Sequence, residues 1–190
     1  MRIMKVQLFR GLLLAVLLAL AACQAPGTGS MDMESAARID RDVDAALRNL
    51  YSSTPKARML AQRAKGILVF PGVVKAGFIG GAQYGKGALV RNGRTAGYYN
   101  VVAGSYGLQA GVQSFDYAMF FMTQNALDYL DRSDGFEIGV GPSVVVVDAG
   151  VARSLTTTTA KDDVYAFIFG QRGLMAGLGL QGSKITRVNP

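Results

Sequence analysis

The stretch GGAQYGKGALVRNGRTAGYYNV, residues 80–101, decides how the chain folds. Its opening follows the phosphate-loop pattern: Gly80, four residues, then Gly85 and Lys86. The next position should carry a serine or threonine to hold magnesium, and a helix should follow with its N-terminus facing the phosphates. Here that position is Gly87. Asn92-Gly93, set between Ala88–Arg91 and Arg94–Tyr98, is instead the signal for a two-residue hairpin turn with positive backbone angles. The segment therefore reads as two antiparallel strands, and no nucleotide is expected to bind.

The same character continues on both sides. ILVFPGVV, GFIGGAQYG, GALVR, TAGYYNVVAG, YGLQAGV and YAMFFMT are short apolar or alternating runs punctuated by glycine, as are FEIGV, VVVVDAG, VYAFIFG, LMAGLGL and SKITRV further on. Of the 24 glycines, 21 lie between Gly66 and Gly182. Glycine inside strands marks bulges, sharp bends and close backbone approach, which predicts a strongly coiled antiparallel sheet or a small barrel. Gly170-Gln171-Arg172-Gly173 reads as a further hairpin turn. Thr123 is placed to cap a short helix over Gln124–Asp131.

Upstream of the strands the period is helical. Ala36, Ile39, Val43, Leu47 and Leu50 share one face with Ala46 beside them, and Glu34, Arg38, Arg41, Asp44 and Arg48 take the other. Thr54-Pro55 opens a second helix, running to about Ala64, with Ala57, Leu60, Ala61 and Ala64 on one face. Lys56 and Arg63 border that face on one side, Arg58 and Lys65 on the other. Such a helix suits first packing on a sheet, and also lying on a membrane with its basic side chains reaching outward. The fold class expected is α+β, with two N-terminal helices and one internal helix.

The N-terminus reads as a secretory signal. Arg2, Lys5 and Arg10 form a basic region, and Gly11–Ala22 is an apolar run shorter than the ~20 residues a spanning helix needs. Leu20-Ala21-Ala22-Cys23 resembles the lipobox of bacterial lipoproteins, which implies that residues 1–22 are removed and that Cys23, the only cysteine, carries a fatty acid such as palmitate. Gln24 resembles the signal for transfer to the outer membrane. Residues 23–30 then form the acylated cysteine and a small-residue linker, about 15 Å long as a flexible coil, and residues 31–190 the domain. The domain is expected to face the periplasm, close to the bilayer.

Charge is distributed unevenly. The formal net charge of +7 falls to +4 without the signal, and from Ala45 to Phe115 there is no Asp or Glu while nine cations occur. They are Arg48, Lys56, Arg58, Arg63, Lys65, Lys75, Lys86, Arg91 and Arg94. An anionic partner is implied, and in the cell envelope the obvious polyanion is phospholipid. No nucleic-acid motif is present. The chain has no histidine and, once Cys23 is acylated, no thiol, which removes histidine-based nucleophile pairs and the usual zinc sites. The nearest carboxylate pairs, Asp162-Asp163 and Asp128 with Asp131, sit in a turn-like position and on a short helix, and neither is singled out as an acid or base. The run Thr156–Thr159 reads as strand-edge or loop hydroxyls. No enzymatic activity, metal or cofactor is expected.

AKGILVFPGVVKAGF (64–78), AGSYGLQAGVQ (103–113) and FGQRGLMAGLGLQGSKI (169–185) resemble the signature blocks of the SYLF domain, the actin-binding domain family of endocytic proteins, in consistent order from about Ala36 to Val188. The resemblance implies a lipid-binding module, with phosphoinositide recognition and membrane remodelling in eukaryotic members, where an amphipathic N-terminal helix contributes. In this chain the first helix carries several acidic residues, and the second fits that role better. Actin does not apply in a periplasm, and phosphoinositides are not ordinary bacterial lipids. The reading is a membrane-anchored module recognising anionic phospholipid headgroups through Lys56, Arg58, Arg63, Lys65, Lys75, Lys86, Arg91 and Arg94, with Arg172 adding a contact if its turn lies on the same side. A second reading is an envelope protein whose basic, apolar surface meets a protein partner.

Overall fold

A computed structural model describes residues 28–77, 80–106, 111–132, 135–137, 140–147, 155–156, 160–173 and 183–189. The signal segment with Cys23, the run LMAGLGL and Thr157–Thr159 lie outside them. The chain divides into two units, residues 1–34 and a compact unit from Ser35 to Pro190. The elements are α1 (Thr28–Ser53), α2 (Pro55–Ala61), β1 (Gly66–Gly77), β2 (Gly80–Arg91), β3 (Arg94–Tyr106), β4 (Gly111–Phe121), α3 (Gln124–Arg132), β5 (Phe136–Glu137), β6 (Val144–Val146), β7 (Val164–Gly173) and β8 (Ser183–Val188). Helix α1 takes in Thr28–Ser30, which the sequence assigns to the linker.

The eight strands form one sheet in the order β5-β8-β3-β2-β1-β4-β7-β6. It is the curled α+β half-barrel that the glycine pattern predicts, antiparallel throughout except that β6 runs parallel to β7. Asn92 and Gly93 have φ of 51° and 74°, so β2 and β3 are joined by the expected two-residue turn, with Arg91 opposite Arg94.

The glycines of the opening stretch answer to the curl. A Cβ on Gly85 would lie 2.7 Å from Val73 Cγ2, and one on Gly87 would run into the Val69 carbonyl oxygen and lie 2.7 Å from Phe70 Cδ1. Side chains on this face converge, so it is the inner one. Its core joins Leu68, Phe70, Leu89, Tyr99, Phe115, Tyr117 and Phe121, closed over by Leu127 and Leu130 of α3. The outer face carries a second core, where Ile39, Val43, Leu47 and Leu50 of α1 and Ala57 and Leu60 of α2 cover Val69, Ala88, Phe120 and Phe167. The helical stripe read from the sequence is thus the face that α1 buries.

Three details differ from expectation. Helix α2 ends at Ala61 rather than near Ala64, because the chain must turn for the Lys65 amide to donate to Phe121 O at 2.7 Å and start β1. Thr54 precedes α2 without a side-chain cap, whereas Thr123 Oγ1 does accept from the Ala126 amide at 3.3 Å. Gly170–Gly173 is no hairpin turn. It continues β7, with Arg172 opposite Ser114 and Gly173 opposite Gln113, and Gly170 (φ 62°) marks a bulge where the register shifts. Gly72 (φ 60°) marks another in β1, and Asp116 lies between the two, accepting from the Gly72 amide at 2.8 Å. The glycine signal was real, but it encodes a bend within a strand.

Candidate functional site

The nine basic residues named from the sequence do not form one patch. Lys65 precedes β1, and Arg91 and Arg94 flank the β2–β3 turn, so these three share one end of the sheet. Arg63 and Lys65 line a cleft of about 510 Å³ at that end with Lys161 and Asp162. On α2, Lys56 donates to Leu155 O at 2.7 Å and Arg58 lies 5.8 Å from the centre of the Tyr51 ring, so both long stems are held against the protein. Lys86 stands exposed on the outer face of β2, and Arg172 borders a cleft of about 500 Å³ with Asp42, Asn49 and Asp116. Lys75 is not on the surface at all: it is 5% exposed and faces inward.

Several carboxylates are engaged structurally. Asp163 accepts from Thr123 Oγ1 at 2.9 Å and from the amide and hydroxyl of Ser143, each at 3.2 Å, and these hydrogen bonds hold its carboxyl below the usual range. Asp131 accepts from the Tyr99 hydroxyl at 3.1 Å and lies 4.0 Å from Arg187. Burial, then the charge of Asp131, pushes the Tyr99 hydroxyl up to about 12. Asp40 on α1 accepts from Thr95 and Tyr98, pinning the helix to β3. Among the described residues no three His, Cys, Asp or Glu side chains gather to hold a metal.

What sequence reasoning missed is an apolar area. Helices α1 and α2 cover only part of the outer face, and the remainder is open. There Val102 pairs with Tyr84 and Tyr84 with Val74, forming one row across β3, β2 and β1. In the next row Ala82 pairs with Ala76 and Ala76 with Val112. Val74, Tyr84, Val102 and Val112 are 46%, 47%, 50% and 61% exposed, and they account for four of the seven exposed large hydrophobic side chains among the described residues. Cations border the rows: Lys86 follows Tyr84 on the same side of β2, Lys184 pairs with Val102 with Glu137 beside it, and Arg172 pairs with Ser114 next to Val74. No sequence pattern marks these rows, because alternation identifies a face without saying how far a helix covers it.

Residues 102–189 match the family model Ysc84, described as Las17-binding protein actin regulator. Over that segment, a little under half of its length, the chain is similar to this family, which is the SYLF family. The matched segment starts within β3 and runs through β8, so it contains Arg172, Val102, Val112 and Lys184 and leaves out α2 and the cations from Lys56 to Arg94. The family description names a binding protein, and in this chain Asp163 and Asp131 hold hydrogen bonds within the fold. No curated protein matches the chain. No helix among the described residues is long and apolar enough to cross a membrane.

Proposed function

We propose that this SYLF-like domain docks on an anionic phospholipid surface through the open part of its outer face. The supporting observation is the coincidence of the exposed rows Val102–Tyr84–Val74 and Ala82–Ala76–Val112 with a border of Lys86, Lys184 and Arg172. Apolar side chains of this kind enter the headgroup–acyl boundary, while each bordering cation contributes about 1 kcal/mol against anionic lipid, an effect that salt weakens. The basic end around Arg63, Lys65, Arg91 and Arg94 lies toward the other end of the strands, about 25 Å along β2 and β3 from Tyr84 and Val102, and is a poorer candidate because it offers cations without exposed large apolar side chains. Lys75 takes no part in surface contact.

The protein is read as an outer-membrane lipoprotein of the periplasmic side. An acyl chain on Cys23 would hold the domain beside the bilayer at high effective concentration, so weak docking suffices. Metabolic labelling with a fatty acid checks the anchor: wild type labels and Cys23→Ser does not, and equal labelling of both removes it. For the surface, vesicle flotation of residues 31–190 should show binding to phosphatidylglycerol vesicles over phosphatidylcholine ones, released by salt and lost in Tyr84→Ser/Val102→Ser. Loss instead in Lys56→Glu/Arg63→Glu/Lys65→Glu, with the outer-face variant unaffected, would move the contact to the basic end. The family description names a protein ligand, Las17, which supports a second reading in which the same rows meet a protein. Vesicle binding absent at low salt would favour that reading.

A further inference from the structure

On the inner face one row breaks the apolar pattern. Lys75 of β1 is directly opposite Gln83 of β2 and Gln113 of β4, and Gln83 continues through Ala103 of β3 to Ser183 of β8. These side chains share the face of Val73, Phe115 and Ile185, two residues along their strands, so they point into the half-barrel. All are buried: Lys75 is 5% exposed, Gln83 3%, Gln113 6% and Ser183 0%. Opposed residues on one face stand about 5 Å apart at Cβ, which makes this a contiguous polar band.

Its hydrogen bonding is incomplete. Gln83 Nε2, Gln113 Oε1 and Ser183 Oγ have no partner. Leaving such an atom buried costs about 1–3 kcal/mol, so three in one band are a large concession by a fold that could have placed aliphatic side chains there. The band holds one positive charge, and among the described residues no carboxylate stands in it. Two of the open atoms can donate, the Gln83 amide and the Ser183 hydroxyl, and one, Gln113 Oε1, accepts. The next inner-face row toward the strand ends is Gly81–Gly77–Gly111, so β2, β1 and β4 place no side chain between the band and that end.

We propose that this band binds a phosphate-type oxyanion, either free phosphate or the headgroup of a phospholipid. The Lys75 ammonium supplies charge, Gln83 Nε2 and Ser183 Oγ donate to the non-bridging oxygens, and Gln113 Oε1 accepts from a hydroxyl of the anion or of its glycerol. Charge-assisted hydrogen bonds of this kind are about twice as strong as neutral ones and complete each open atom. The site is separate from the outer-face surface, since Tyr84 and Gln83 are neighbours on β2 that point to opposite faces.

The test is calorimetric titration of the full chain in neutral detergent with inorganic phosphate and, separately, with dihexanoyl phosphatidylglycerol below its micelle concentration. At least one probe should saturate a single site, and Lys75→Met and Gln83→Leu should each weaken it tenfold or more while Tyr84→Ser leaves it unchanged. Saturation by phosphate assigns a free anion, and saturation by the lipid alone assigns a headgroup. If Lys75→Met does not fold, Gln83→Leu and Gln113→Leu, which replace open amides by apolar groups of similar size, carry the comparison. Saturable binding by neither probe, or equal binding by wild type and the folded band variants, overturns the proposal. So does equal weakening by Tyr84→Ser.

Discussion

Gly87 and Gly104 are both strand glycines, yet their surroundings differ. A methyl group on Gly87 would run into the backbone of Val69, where the strands crowd on the inner face, whereas one on Gly104 would meet nothing within 4 Å. Gly87→Ala is therefore expected to cost about 3 kcal/mol or more, since overpacking against backbone cannot be relieved by a rotamer change. Gly104→Ala should be neutral or stabilising by about 0.5 kcal/mol through the unfolded chain. Paired thermal melts check this, and equal midpoints would show that the curl does not constrain Gly87. Lys86, the residue that suggested a phosphate loop, is exposed on the outer face of β2, so Lys86→Ala should leave the midpoint unchanged. Calorimetry with magnesium-ATP should show no binding that depends on Lys86, with wild type and Lys86→Ala giving the same heats. The inward residues Gln83, Gly85 and Gly87 also show why the stretch misleads: alternation with Ala82, Tyr84 and Ala88 reads as apolar inside and polar outside, and over Gln83 and Tyr84 the sheet does the reverse.

At the scale of elements, Asp163 joins three pieces of the fold. Its carboxylate accepts from Thr123 at the start of α3 and from Ser143 before β6, while its own carbonyl accepts from the Met122 amide at 2.8 Å. Because these bonds lower its pKa from the ordinary 3.8, the stability it contributes is fully present above that value and is lost as pH falls through the lowered one. Chemical denaturation of wild type and Asp163→Asn across pH should show a constant gap above about pH 5 that closes toward stronger acid. A gap independent of pH down to full protonation would mean that the charge of Asp163 does no stabilising. The elements themselves were largely legible: the α1 stripe, the Asn92-Gly93 turn and the Thr123 cap are local signals, and each is where its residues place it. The β7 bulge was not, since Gly170 with φ 62° serves a turn or a bulge equally, and only pairing with β4 decides between them.

For the molecule as a whole, charge counted along the chain was a poor guide to surface. The acid-free segment holds nine cations, but folding sends Lys75 inward, Lys86 to the outer face, and Arg91 and Arg94 to the far end of the sheet. Conversely, Lys184 and Arg172 come from the distant C-terminal strands to border the exposed rows. The curl follows from glycines that sequence shows, whereas the extent of helix cover depends on the angle at which α1 and α2 cross the sheet, which no local pattern encodes. The central claim is that the Val102–Tyr84–Val74 row enters an anionic bilayer. The chain has no tryptophan, so Tyr84→Trp in residues 31–190 places a single reporter at the middle of that row. On adding phosphatidylglycerol vesicles its emission should shift to the blue and be quenched by brominated acyl chains, with both effects reversed by salt. Emission that stays at the water-exposed wavelength while the protein co-floats with the vesicles would show that the domain binds lipid by another surface, and the account of the outer face would be wrong.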